Sequence, residues 1–160
     1  MNEPVEIKKV DRGNIEDFLN LIGGLARFEH DNPPDDAAKR RLVSDALAEN
    51  PPFNAFLAYL KGRPIGYIIY YNTYSSFDGK RILFLEDIFV LEDERKTGLG
   101  KHLFKFCIEE AKGQGCGSME WWVLTWNKDA IGFHERMGGK RRGCYVYEVD
   151  EKDFEKALRS

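Results

Sequence analysis

Two acidic residues, Glu86 and Asp87, stand side by side in the otherwise apolar run Phe84-Leu85-Glu86-Asp87-Ile88-Phe89-Val90, and shortly after it the chain reads Arg95-Lys96-Thr97-Gly98-Leu99-Gly100-Lys101. An ionised carboxylate in an apolar strand is unfavourable unless it is paired or opens on a cleft, so Glu86 is either a salt-bridged structural group or a proton acceptor at a site. Side chains alternate along a strand, which puts Glu86 and Asp87 on opposite faces and aims at most one of them directly at a substrate. The glycine-containing segment reads as a loop feeding a helix that begins near Gly98. The first N–H groups of a helix lack intrahelical partners and carry the positive end of its dipole, so this joint suits a phosphate that Gly98 and Gly100 allow to come close. The competing reading is that the glycines only make a tight turn. Spacing excludes two nucleotide loops: Gly98-Leu99-Gly100 is followed by Leu103 rather than a third glycine, and Gly100-Lys101 by His102 rather than Ser or Thr.

The elements that must position these groups follow from periodicity. Residues 5–10 read as a strand. A helix capped by Asn14 runs to about Phe28, with Phe18, Leu21, Ile22 and Leu25 on one face. Residues 35–49 support a second helix ended by Asn50-Pro51-Pro52. Strands are expected over 55–60 and 65–71 around the hairpin signal Lys61-Gly62-Arg63-Pro64, then a polar turn over 72–80 and a long strand over 81–90, whose near-continuous apolar character suits a centre covered on both faces. Leu99, Leu103, Phe104, Cys107, Ile108 and Ala111 form a helical stripe closed by Gly113-Gln114-Gly115. A strand over 119–124, a helix from Asn127 to about Met137, a final strand over 145–149 and a short helix over 151–158 complete the order β-αα-βββ-α-β-α-β. These elements describe an α/β (α+β) fold with a mixed sheet and helices on both faces.

The chain has 160 residues, of which 42% are hydrophobic and 13% aromatic, enough for one well-buried core and short of two, so residues 1–160 are expected to be one domain. A net charge of -3 with scattered Lys and Arg argues against nucleic acid as a partner. Cys107, Cys116 and Cys144 form neither a CxxC pair nor an even set, and His30, His102 and His134 are too far apart for ligand spacing, so neither disulfides nor a metal site is expected. The N-terminus has no basic and apolar leader pattern, and no apolar run approaches the roughly 18–20 residues that span a bilayer, which gives the expectation of a cytoplasmic protein without membrane contact.

Arg95-x-x-Gly98-x-Gly100 behind Leu85-Glu86-Asp87-Ile88-Phe89-Val90 resembles the acetyl-coenzyme-A loop of the GNAT N-acetyltransferases. The resemblance extends to the spermidine/spermine (diamine) and thialysine acetyltransferase branch through Leu21-Ile22-x-x-Leu25-Ala26-x-Phe28-Glu29, Tyr70-Tyr71-x-Thr73-Tyr74 and Trp126-Asn127-x-x-x-Ile131-x-Phe133. It implies a single GNAT domain with a mostly antiparallel sheet of about 6–7 strands, acetyl-CoA as cofactor, a small-molecule primary amine such as a polyamine or thialysine as acceptor, and a homodimer, for which the aromatic strand around Tyr145 and Tyr147 is the candidate interface. By the same resemblance Ile88, Phe89 and Val90 contact the pantetheine, Arg95 of the loop motif binds the cofactor, and Lys96, Thr97, Gly98, Leu99, Gly100 and Lys101 cradle the pyrophosphate. Asn127, Lys128, Asp129 and Ala130 contact the cofactor near the helix start.

Acetyl transfer to an amine also needs a group that takes a proton from the ammonium and one that stabilises or protonates the departing thiolate. The resemblance assigns the first role to Glu86, acting through water, and amine binding to Glu29 with Phe28 and Asp87. The second falls to a family tyrosine, but here Gly132-Phe133-His134 puts histidine in its place. An imidazole with an ordinary pKa near 6.5 can donate to a thiolate; equally, His134 packs or faces solvent and water protonates the thiolate. Glu29, His30, Asp31, Asp35 and Asp36 either steer a cationic substrate or form solvated surface, and Phe28, Tyr70, Tyr71, Tyr74, Trp121, Trp122 and Trp126 either line an amine channel or fill core. Acetylation of protein amines and cofactor binding without catalysis are the alternatives.

Overall fold

The protein is represented by a computed structural model that describes residues 4–160. It has two compact units, Met1–Trp122 and Val123–Ser160.

The first unit holds one five-stranded sheet, β1 (Glu6–Lys9), β2 (Asn54–Leu60), β3 (Arg63–Ser75), β4 (Lys80–Val90) and β5 (Ser118–Trp121), in that spatial order. The first three pairings are antiparallel and β4–β5 is parallel. The mixed, mostly antiparallel sheet is as expected, but the strand count is five rather than six or seven. Lys61 and Gly62, both at positive φ, make the β2–β3 hairpin, whose two left-handed residues match the twist of the strands. β3 runs on to Ser75 and pairs there with Lys80, so the polar turn shrinks to residues 76–79. Thr73 and Tyr74 are good strand formers, and one wet face suffices for a hairpin arm.

Helices cover both faces. α1 (Ile15–Glu29) lays Phe18 and Leu21 on Leu57, Tyr59, Tyr67, Ile69 and Phe89. On the opposite face, α3 (Leu99–Gly113) brings Glu110 to Tyr70 and Phe104 to Trp121, with Leu103, Cys107, Leu83 and Leu85 buried. Each such aliphatic or aromatic side chain contributes roughly 1.5–3 kcal/mol by leaving water. Between them α2 (Asp36–Ala46) is capped by Asp35, whose Oδ1 accepts from the Ala38 N–H at 2.7 Å. Asn14 does stand at the start of α1, but its side chain does not cap it: Oδ1 accepts from the Asp11 N–H and Nδ2 donates to the Lys9 carbonyl, fixing the turn out of β1.

The second unit contains α4 (Lys128–Arg136), a short turn over Glu151–Asp153 and α5 (Phe154–Ala157). The strand expected over 145–149 does not form: Tyr145 and Tyr147 are 88% and 89% exposed and the segment joins no ladder. Alternation supplies only one half of a strand, and the other half is a partner edge. Among the described residues no helix is long and apolar enough to cross a membrane.

Candidate active site

The β3–β4 ladder is regular from Gly66↔Val90 to Ile69↔Asp87, and then jumps so that Tyr70 faces Leu85. Glu86 is the extra residue of a β-bulge, which bends the strand and re-aims the side chains beside it. Along β3, Tyr67 and Tyr71 lie four residues apart and share the face covered by α1. The Tyr67 hydroxyl donates to Asp87 Oδ2 at 3.0 Å, and the Tyr71 hydroxyl donates to Glu86 Oε2 at 3.2 Å. Both carboxylates therefore meet the same row of tyrosines. The alternation expected from the sequence would have separated them, and the inserted residue cancels it.

The environments of the two differ. Glu86 is exposed, while burial pushes the Asp87 carboxyl up to about 6; the Tyr67 hydrogen bond pulls it down, and the charges of Glu86 and Glu29 raise it further. Tyr67 is raised well above the ordinary tyrosine range by its own burial and by Asp87, Glu29 and Glu86. Glu29, the last residue of α1, is raised by burial and by Asp31. Tyr67 thus marks a point where α1, β3 and β4 bring three carboxyls together. Tyr67 has no role in the sequence reading; its signal is the two-residue spacing Tyr67, Ile69, Tyr71 beside the acidic pair. Tyr70, by contrast, sends its hydroxyl to Glu110 on the α3 face, so it does not join this cluster.

Phe28 and Arg95 form a joint rather than separate contacts. The Arg95 guanidinium lies 4.1 Å from the Phe28 ring centre and 5.8 Å from that of Phe89, and its Nε donates to the Val90 carbonyl at 3.1 Å. This clamps the end of β4 to α1. Pairing of β4 with β5 ends at Leu85↔Trp121, so among the described residues Glu86 to Val90, with Ile88 and Phe89 between them, have no β5 partner along that edge. Trp121 packs on Phe104 of α3 and Trp122 on Phe84 of the other face, as alternation requires.

Beyond β4, Lys96 and Gly98 have φ of 64° and 97°, and the Thr97 hydroxyl donates to the Glu94 carbonyl. The two left-handed residues turn the chain into α3, whose first turn contains Leu99, Gly100 and Lys101 and no acidic residue. A Cβ at Gly98 would meet nothing within 4 Å, so the approach to the helix start is open. Backbone donors at a helix start, basic Lys96 and Lys101 beside them, and an unpaired strand edge leading to them fit an anionic diphosphate on an amide-bearing arm.

In the second unit Asn127 caps α4, its Oδ1 accepting from the Ala130 N–H at 3.1 Å, and Lys128 Nζ donates to the Thr125 carbonyl. Asp129 stands in the first turn of that helix. His134 is buried on α4, and burial pushes its imidazole down to about 4.

Residues 17–139 match the acetyltransferase (GNAT) family. The chain belongs to this family. It is an acetyl-CoA-dependent N-acetyltransferase. The chain is 33% identical over 143 residues to a thialysine N-epsilon-acetyltransferase of Sus scrofa, covering 84% of this chain and 82% of the relative. It is 30% identical over 149 residues to the Caenorhabditis elegans protein of the same name, covering 91% of each. The fold is also that of an integron cassette protein of V. cholerae, at TM-score 0.81 and 21% identity, covering 100% of this chain and 99% of the other. An aminoglycoside N-acetyltransferase solved with CoA aligns at TM-score 0.77 and 22% identity, covering 92% and 95% of the two chains.

Proposed function

We propose that this GNAT enzyme acetylates a primary amine of a small, flexible cation of the polyamine, diamine or thialysine kind. The observation that carries the reading is the gathering of Glu29, Glu86 and Asp87 about Tyr67 and Tyr71, an acidic site suited to an ammonium. The thialysine acetyltransferases above, an Arabidopsis thaliana L-ornithine N5-acetyltransferase 39% identical over 75 residues and a human spermidine/spermine acetyltransferase-like protein 27% identical over 160 residues support the same class.

When bound, acetyl-CoA supplies a thioester carbonyl carbon open to attack by a neutral amine. Lys96 to Lys101 and the β4 edge hold and orient it, with Asn127 to Ala130 as further contacts. Glu86, exposed and held by Tyr71, accepts the ammonium proton through water, and Glu29, Phe28 and Asp87 position the cation. The amine nitrogen would then bond to the carbonyl carbon as the carbon–sulfur bond breaks, and the proton that the nitrogen sheds would pass through water to the departing thiolate. Held neutral at pH 7 by burial, His134 acts as an N–H hydrogen-bond donor to the departing sulfur in the place of the tyrosine O–H, and not as an imidazolium.

Incubating the protein with labelled acetyl-CoA and a panel of spermidine, thialysine, ornithine and a lysine peptide tests the class. Product from the small amines and none from the peptide is expected; the reverse favours a protein acetyltransferase, and no product from any favours a binding module. Glu86→Gln should retain CoA affinity and lower turnover strongly at neutral pH, whereas unchanged turnover removes its role as base. The apolar row Tyr145, Val146 and Tyr147, all exposed, supports a homodimer, and a monomeric sedimentation coefficient at micromolar protein would rule it out.

A further inference from the structure

Three carboxyls reach the Tyr67 region from two elements, and their charges are unevenly served. Asp87 has the Tyr67 hydroxyl at 3.0 Å, Glu86 has the Tyr71 hydroxyl at 3.2 Å, and Glu29 stands at the end of α1 with Asp31 beyond it. Among the described residues no salt bridge reaches Glu29, Glu86 or Asp87. Arg27, two residues before Glu29, lays its guanidinium back along Gly23 and Gly24 of α1, and Arg95, which follows β4, is turned to the rings of Phe28 and Phe89 and to the Val90 carbonyl. Asp17 of α1 already accepts from the Tyr59 hydroxyl of β2 at 2.6 Å, and the charge of Asp11 also acts on that tyrosine.

We propose that Asp87 is a proton-exchanging positioning residue of the amine subsite: anchored by the Tyr67 hydroxyl and flanked by Glu86 and Glu29, in mildly acid solution it holds a proton while the subsite is empty and gives it up when the substrate cation arrives. The inference rests on the reading of these carboxyls as the amine subsite. Its physical basis is that like charges in a partly buried place cannot all ionise without a counter-charge, and an incoming ammonium supplies one. The proton on Asp87 passes to solvent, the carboxylate left behind accepts from Tyr67 and faces the cation, and Glu86 stays free for its own proton transfer. Burial that already raises Asp87 to about 6 places this exchange on the acid side of neutrality, so it is full below pH 6 and involves only about a tenth of the molecules at pH 7.

Carbon-13 NMR of the aspartate carboxyls, followed against pH on the whole protein saturated with CoA, reads the exchange directly. The Asp87 signal is assigned by its loss in Asp87→Asn or, should that variant not fold, by its displacement in Tyr67→Phe. Saturating spermidine, thialysine or ornithine should lower the Asp87 midpoint by about one pH unit or more, a tenfold fall in proton affinity. Tyr67→Phe should raise the midpoint of the amine-free protein, because a donor to the carboxylate is gone, and Glu86→Gln should lower it, because a like charge is gone. A midpoint unmoved by every amine overturns the proposal, and one unmoved in Tyr67→Phe overturns the anchoring by Tyr67. Acetylated product is followed separately by mass spectrometry: product without a midpoint shift sinks this inference alone, and a shift without product sinks the acceptor reading alone.

Discussion

Gly98 stands at the start of α3 with φ of 97°, and a Cβ there would touch nothing within 4 Å. Gly98→Ala therefore introduces no clash, and its whole effect is conformational, about 1–2 kcal/mol for an L side chain in left-handed backbone. The loop can answer in two ways. Where it keeps its conformation, the folded state loses that amount and the urea midpoint falls with m unchanged. Where it relaxes, the first N–H groups of α3 turn away from the diphosphate, and CoA affinity falls by about 5- to 30-fold, the equivalent of about 1–2 kcal/mol. Both responses draw on one strain, so the stability loss and the binding loss should together come to about 1–2 kcal/mol. Urea unfolding and calorimetric CoA titration of the same preparation measure the two parts. Wild-type stability together with CoA affinity within twofold would refute a cradle that depends on left-handed backbone at Gly98.

Two further perturbations test what surrounds the site. A Cβ at Gly66 would lie 2.6 Å from the Phe89 carbonyl oxygen, and both atoms belong to interior strands, so Gly66→Ala should lose about 1–3 kcal/mol and several degrees of thermal midpoint; an unchanged midpoint would show that β3 and β4 part easily. Asp87, raised to about 6 from an ordinary value near 3.9, binds protons more tightly folded than unfolded, so its contribution to stability is full in acid and is lost, to the extent of about 3 kcal/mol, as pH rises through 4 to 6. His134, lowered to about 4 from near 6.5, acts in the opposite sense, its contribution being lost as pH falls through 6.5 to 4. Urea midpoints across this range should fall more steeply in acid for Asp87→Asn than for wild type and less steeply for His134→Gln, and parallel curves for all three would contradict both shifts.

Most of the fold was legible because each signal was local. The stripe from Leu99 to Ala111, the Lys61-Gly62 turn and the Asn127 cap each act within a few residues, and each appears where the pattern places it. Asn14 marks the right helix start for the wrong reason, because a short polar side chain at a turn has two backbone partners in reach and the sequence does not say which it takes. The strand over 145–149 was over-read because its alternation is local while its partner edge is not. The acidic pair was placed correctly in β4 but assigned to two faces, since alternation holds only while the ladder is in register. The Ile69–Tyr70 step of β3 against Asp87 and Leu85 is a non-local fact.

That one inserted residue ties the charge of the site to its geometry. With an unbroken ladder, consecutive Glu86 and Asp87 would point to opposite faces and one of them would enter the packing under α3, where Leu83, Leu85, Leu103 and Phe104 are buried and an ionised carboxylate has no compensation. The bulge instead brings both to the tyrosine row of β3, where hydroxyl donors satisfy one lone pair each and leave two carboxyls competing to ionise. Arg95 could have neutralised them, but the Phe28–Phe89 clamp holds its guanidinium elsewhere. Like charges of this kind add to the effect of burial on Asp87, and on the proposed reading of the site they would favour an ammonium in the same place.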